Sequence, residues 1–431
     1  MNQKAVKWLY GQLPELVKKE IIPAESADLI HSYYGPVDKS LGNRTLLTMF
    51  GIVGVILIGL GIILILAHNW EQMSRMTRTL IVISKLLIAQ ILAGAIIWFK
   101  KDNALWTEST STFLMIIIGS SIALIGQTYH IADDFSNFML TWMLLSIPLV
   151  YLMRVTTPAL LYLIGITTWA VSGDFGDIDK HLIWVLIALN GPYYWKLIKA
   201  NPYANPPVLI SWVLTPCFYI CFGKVFSIQL QHLSMLIYAT LFAATYFIGL
   251  IWFDNPVKTW QKPFKAIGLT GCIGISFLLT SKKGWYYIGQ GFNNIEKSEY
   301  LLLFSLLVLV IILSIILVNK KSRRNLLFGG VPIVAGLGLL LVYFDLSGIN
   351  STVLMNGYAL LLSVTLIRRG AREKSLGMLN IGMLMIAILI IMRFFDSNFS
   401  FVVRGLTFVV IGSCFLVTNW IMVRRKKEVT Q

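Results

Sequence analysis

The sequence predicts an all-α polytopic transmembrane helix bundle of about fourteen spans, preceded by a short N-terminal cytoplasmic helical hairpin. Three observations carry that expectation. Of the 431 residues, 57% are hydrophobic and 13% charged, whereas soluble domains hold about 45–50% apolar and about 25% charged residues. Apolar runs long enough for about 30 Å of hydrocarbon, which takes about 20 helical residues, recur along most of the chain. Basic residues gather between those runs, dense in one gap and sparse in the next.

The N-terminal segment differs in kind from the rest. Leu13, Leu16, Val17, Ile21, Ile22, Ala27, Ile30, Tyr33 and Tyr34 recur at helical spacing without forming a span. Pro14 and Pro23 suit the first turns of short helices, and Gly35 with Pro36 ends the segment. A helical hairpin over residues 1–42 is expected, with a transmembrane domain over 43–431. The hairpin suits a protein partner, docking on the membrane domain, or a role in insertion. The first apolar run begins near Leu46 and continues as a full span, so no cleaved leader is expected.

Spans are predicted near 46–67, 78–99, 112–131, 137–153, 156–172, 181–198 and 208–223, then near 233–253, 264–280, 300–318, 325–343, 351–367, 376–395 and 399–423. The runs at 137–153, 156–172 and 208–223 are short, and the last contains Pro216. With the N-terminus inside, 26 of the 36 Lys and Arg fall in cytoplasmic segments and 9 in outer ones, with Lys85 within a span. One missed helix would invert every later loop and erase this bias, so both termini are expected in the cytoplasm.

The net charge of +16 sits at the ends of apolar runs, which suits anionic headgroups. The bilayer is therefore the expected partner, and nucleic acid is not. Cys217, Cys221, Cys272 and Cys414 all lie within apolar runs. Cys217 and Cys221 share a helix face but have no His or carboxylate nearby, so they read as small hydrophobes rather than metal ligands, and no disulfide framework is implied. The chain has no phosphate-cradling Gly-Lys-Ser/Thr loop, no His-Glu-x-x-His motif and no nucleophile elbow. No cofactor is expected, and any energy source would be an ion gradient or a partner protein.

Two short tripeptide matches, Leu189-Asn190-Gly191 and Met355-Asn356-Gly357, fall near the middle of the sixth and twelfth predicted spans. A parallel repeat of six helices would explain them.

The first third of the chain carries a more specific pattern. Leu16, Val17, Ile21, Ile22, Ala27, Ile30, Tyr33 and Tyr34 in the hairpin are followed by Gly59 and Gly61, then by Ala67, His68, Asn69 and Trp70. Gln127, Tyr129, His130, Trp142, Pro148 and Arg154 continue it. Over roughly residues 10–155 the chain resembles the bacterial membrane-protein family known as domain of unknown function 2157. Arg393, Phe394, Phe395 and Asp396, with Arg404 and Gly405, are similar to the tails of such proteins. The resemblance implies a bacterial inner-membrane protein and brings no activity with it.

An ionisable group deep in a bilayer costs about 2.5–3.5 kcal/mol on insertion scales, so each one asks for a reason. Eight polar residues lie towards the outer side in the expected topology: His68, Asn69, Glu71, Lys85, Gln127, His130, Arg393 and Asp396. His68 could carry a proton with Glu71 beside it, or the four residues from His68 to Glu71 could simply cap a span at the headgroups, with Trp70 as anchor. Lys85 either snorkels to the interface or, with Arg78 seven residues away on the same face, lines a cleft for a small anionic solute or lipid headgroup. Gln127 and His130 suit helix–helix hydrogen bonding as well as a cavity wall. Arg393 and Asp396 are most simply an intrahelical pair.

Three functions accommodate these residues. Helix number and the one-sided cluster favour a secondary transporter or flippase with an outward polar cavity. A sensor or scaffold acting through the hairpin is the alternative. The third is an intramembrane enzyme on a lipid or cell-wall precursor, with His68 or His130 as base and Glu71 or Asp133 assisting. Convergence of the polar residues on one cavity separates the first and third from the second.

Overall fold

The computed structural model describes residues 3–34, 70, 73–131, 134–173, 179–254, 258–291, 295–319, 323–344, 348–373 and 375–396, with scattered positions from 402 to 417. The described residues are helical with no strands. The chain divides into two compact units, Met1–Ile81 and Val82–Gln431.

The first unit holds the hairpin, α1 (Gln3–Lys18) and α2 (Ala24–Tyr34). The Tyr10 ring lies tilted against His31, ring centres 4.0 Å apart, and its hydroxyl donates to the His31 carbonyl. Leu13 on α1 and Ala27 on α2 are buried. Pro14 does not start a helix, as its position suggested, but lies inside α1. It removes one donor to the Tyr10 carbonyl, a loss that an exposed helix face makes good with solvent.

The helices that follow are α3 (Arg75–Phe99), α4 (Ala104–Tyr129), α5 (Phe135–Met153), α6 (Thr157–Ser172), α7 (Leu182–Ala188), α8 (Gly191–Ala200) and α9 (Asn205–Val225). They continue as α10 (Ser234–Trp252), α11 (Pro263–Leu278), α12 (Lys282–Gly291), α13 (Lys297–Asn319), α14 (Val331–Phe344), α15 (Ile349–Arg372) and α16 (Leu376–Asp396). Helix occupies every predicted span from 78–99 to 376–395, while 46–67 and most of 399–423 lie outside the described residues. Eight of these helices are long and apolar enough to cross a membrane: α3, α4, α5, α9, α10, α13, α15 and α16. The α11–α12 pair makes a ninth if its two bent segments count as one span.

Local chemistry fixes the boundaries. The Asn103 side chain accepts from the Leu105 amide at 3.1 Å to start α4, and Asp134 accepts from the Ser136 amide at 2.9 Å to start α5. Both helices end on left-handed residues, His130 at φ 51° and Arg154 at φ 54°. Pro158, Pro192, Pro206 and Pro263 sit in first turns, where the missing N–H costs nothing.

Three predicted spans are not single straight helices. The 181–198 run is broken into α7 and α8 at Asn190, because Pro192 cannot donate to the Ala188 carbonyl. The 325–343 run is a 3₁₀ turn over Arg323–Gly329 followed by α14, with Pro332 at the junction. The 264–280 run becomes α11 and then turns by 80° into α12.

Packing is densest where glycine lets backbones touch. A Cβ on Gly268 of α11 would stand 2.4 Å from the Tyr246 backbone nitrogen of α10. One large apolar core gathers α10, α11, α13, α14 and α15 around Tyr246, Phe247 and Trp285. A second gathers α4, α5 and α6 around Met115, Met143 and Tyr162. Trp184 and Phe226 pack against both.

Candidate functional site

Several of the polar residues singled out above lie outside the described residues: His68, Asn69, Glu71 and the side chain of Asp396. The others fall into two groups. Lys85 on α3 is half-buried and its ammonium donates to the Ser120 hydroxyl of α4 at 2.9 Å. Ser120 in turn donates to the Ile117 carbonyl at 3.0 Å. Gln127 lies seven residues beyond Ser120, two turns further along the same face and about 10 Å away by helical rise. Gln127 and His130 are exposed, and His130 closes α4 through its own amide on the Gly126 carbonyl. Arg78 donates from Nε to the Met73 carbonyl at 3.1 Å, and its guanidinium lies 5.8 Å from the Trp70 ring centre.

Arg393 belongs to the second group. Its Nη2 donates to the Thr280 hydroxyl at 3.3 Å, at the bend between α11 and α12. That bend leaves backbone carbonyls without helical donors, and side chains supply them. Trp285 Nε1 donates to the Leu279 carbonyl at 2.7 Å, and Asn356 Nδ2 donates to the Thr280 carbonyl at 3.2 Å. Trp285 is fully buried and seats against Gly338, where a Cβ would stand 2.6 Å from its ring, and against Gly348, which turns the chain at φ +68°. Such an interruption survives in a membrane only where neighbours re-satisfy the freed groups, and here they do.

The break at Asn190 uses the same device with different residues. The Tyr162 hydroxyl donates to the Leu186 carbonyl at 2.8 Å, and the Tyr151 hydroxyl donates to the Leu189 carbonyl. At the third interruption the Tyr358 hydroxyl donates to the Leu327 carbonyl at 2.6 Å. The two matching tripeptides are therefore not equivalent places. Asn190 sits at a helix break with its amide on the Ala159 carbonyl at 3.4 Å. Asn356 lies inside the continuous α15 and serves the break in another helix.

Two carboxylates absent from the sequence reading clasp helix starts. Glu108, in the first turns of α4, accepts the Thr156 and Thr157 amides at 2.6 and 2.8 Å, where α6 begins. Glu299, in the first turn of α13 with a side chain 1% exposed, accepts the His232 and Leu233 amides at 3.0 and 3.1 Å, just before α10. His232 Nδ1 lies 2.9 Å from the same carboxylate. An acid just before the start of an apolar run is the available sequence signal for such a clasp, since a buried carboxylate must find donors.

Cys217, Cys221 and Cys272 are buried free thiols, while Cys414 lies outside the described residues. Cys221 approaches the Thr167 hydroxyl at 3.9 Å.

Long apolar helices, interruptions within apolar runs and side-chain repair of the broken backbone define a polytopic α-helical membrane protein. Residues 14–159 match the family model of a predicted membrane protein, DUF2157. The search of curated proteins and the search of solved structures returned no match.

Proposed function

We propose that the protein is a secondary transporter or flippase of the bacterial inner membrane, with both termini in the cytoplasm, acting on a small anionic solute or lipid headgroup. The observation that carries this reading is the α11–α12 bend. There the guanidinium of Arg393, in the last turn of α16, meets a broken helix at Thr280, whose carbonyl Asn356 also serves. Discontinuous helices with polar side chains at the break are how transporter folds build substrate sites, and intramembrane cations face cavities or partners. Lys85 with Ser120 supplies a second cationic position, and Gln127, His130, His68, Asn69, Glu71 and Asp396 remain the proposed outer lining.

The test uses proteoliposomes in two arms. One follows dithionite bleaching of NBD-labelled phosphatidylglycerol, and the other follows uptake of a panel of labelled small anions under an imposed proton or sodium gradient. Activity in either arm that is lost in Arg393→Gln and reduced in Lys85→Met supports the reading. Silence of folded wild-type protein in both arms, with unchanged lipid and solute profiles in a deletion strain, removes it.

A sensor or scaffold is the second reading. It draws on the hairpin, where Ile21, Leu29 and Tyr33 are exposed within their own unit, Tyr33 to 81%. Identical pull-downs with and without residues 1–40 would dispose of it. The enzyme reading gains no supporting contact among the described residues.

A further inference from the structure

The turn joining α10 to α11 concentrates cationic charge without neutralising it. Lys262 and Lys265 both reach the same oxygen, Oδ1 of Asp254, at 3.5 and 3.4 Å. Charge-assisted hydrogen bonds close at about 2.7–2.9 Å, as Arg369 does on Glu373 at 2.7 Å. Two ammoniums therefore share one carboxylate oxygen at long distance, and Lys262 also donates to the Asp254 carbonyl at 3.3 Å. Lys262 and Arg369 also repel Lys265, which Asp254 attracts.

The fold holds these lysines in place. Gly249 of α10 meets Lys265 backbone to backbone, where a Cβ would stand 2.5 Å from the Lys265 nitrogen. Gln261 donates to the Tyr203 carbonyl at 2.7 Å, and Trp212 Nε1 donates to the Trp260 carbonyl at 2.9 Å. Both lysine side chains are about three-quarters buried, 27% and 25% exposed. Trp252, two residues before Asp254, and Trp260, two before Lys262, are exposed, as aromatic side chains are at headgroup level.

We propose that this turn is a phosphate-recognising site in which Lys262 and Lys265 hold the phosphate of an anionic phospholipid at the membrane surface. The phosphate oxygens complete the hydrogen bonds that Asp254 leaves long, and the neighbouring tryptophans lie against the acyl-chain boundary. A free phosphate offers the same chemistry without the chains, so the two sources are separable by experiment.

The test is native mass spectrometry of the full-length protein in detergent, titrated with phosphatidylglycerol, phosphatidylcholine and inorganic phosphate. Phosphatidylglycerol is expected to be retained over phosphatidylcholine. Lys262→Gln and Lys265→Gln should each weaken retention about fivefold, the effect of one basic residue near an anionic surface. Millimolar inorganic phosphate that displaces the lipid identifies free phosphate as the ligand, and failure to displace it identifies the lipid headgroup. Asp254→Asn removes the competing carboxylate and should tighten retention, which keeps the proposal open to refutation even if a lysine variant fails to fold. Equal retention of both lipids, or unchanged retention in Asp254→Asn and in folded lysine variants, overturns it.

Discussion

Glu108 and Thr156 meet across 48 residues of chain: the carboxylate accepts the Thr156 amide at 2.6 Å and so starts α6 from another helix. Its other oxygen takes the Thr157 amide at 2.8 Å. Glu108→Ala leaves both amides without this acceptor, at a cost of about 1–3 kcal/mol for each buried group left unpaired. Glu108→Asp, one methylene shorter, should lose most of the same stability. Thermal unfolding followed by tryptophan fluorescence in detergent measures both, and a midpoint unchanged in Glu108→Ala would refute the clasp.

Glu299 should be less tolerant still. It serves the His232 and Leu233 amides and the His232 ring together, and is almost wholly buried. Glu299→Ala should lower the midpoint more than Glu108→Ala, and Glu299→Gln should fall between Ala and wild type because it keeps one acceptor oxygen. The order of the three midpoints is the readout.

Gly268→Ala should destabilise by about 1–3 kcal/mol, the usual effect of overpacking a filled interface. The added Cβ meets the Tyr246 and Phe242 backbone, which cannot move aside as a flexible side chain would. Gly274→Ala, on the same helix with nothing within 4 Å, is the control and should be neutral or slightly stabilising. Equal effects at the two positions would mean that α10 and α11 do not pack this closely.

The two phenols at the Asn190 break make a matched pair. Tyr162→Phe removes the donor from the Leu186 carbonyl in a fully buried setting and should cost about 1–3 kcal/mol. Tyr151, which serves the Leu189 carbonyl, is exposed, so Tyr151→Phe should cost less. A reversal of that order in thermal unfolding would contradict the burial that separates them.

Lys85→Cys, in a chain whose four native cysteines are replaced, tests whether α3 borders a water-filled route. Labelling by a membrane-impermeant thiosulfonate is expected from the outer side. If the residue reacts only after the membrane is dissolved, Lys85 is a packing residue bonded to Ser120 and nothing more.

The helices and their order were legible in the sequence because hydropathy reports whether a segment can lie in lipid, which is decided residue by residue. The interruptions were only partly legible. Pro192 lies in the 181–198 run, which the sequence nevertheless predicts as one span, and nothing in Leu279-Thr280-Ser281 announces an 80° turn, which depends on Trp285, Asn356 and Gly348 arriving from later in the chain. Lys85 and Arg393 were visible as misplaced charges, yet their partners Ser120 and Thr280 are ordinary residues that only tertiary structure selects. Glu108 and Glu299 escaped notice because at the end of an apolar run a carboxylate looks like the place where the membrane stops.

The Glu299 clasp also imposes an order on biosynthesis. The amides just before α10 are complete only with a side chain made 67 residues after His232, a delay of the order of several seconds at ribosomal speed. The amides of α6 face no such wait, because Glu108 has already been made when Thr156 emerges. The N-terminal helices can therefore settle as they leave the translocon, while α10 stays open at one end until the first turn of α13 arrives.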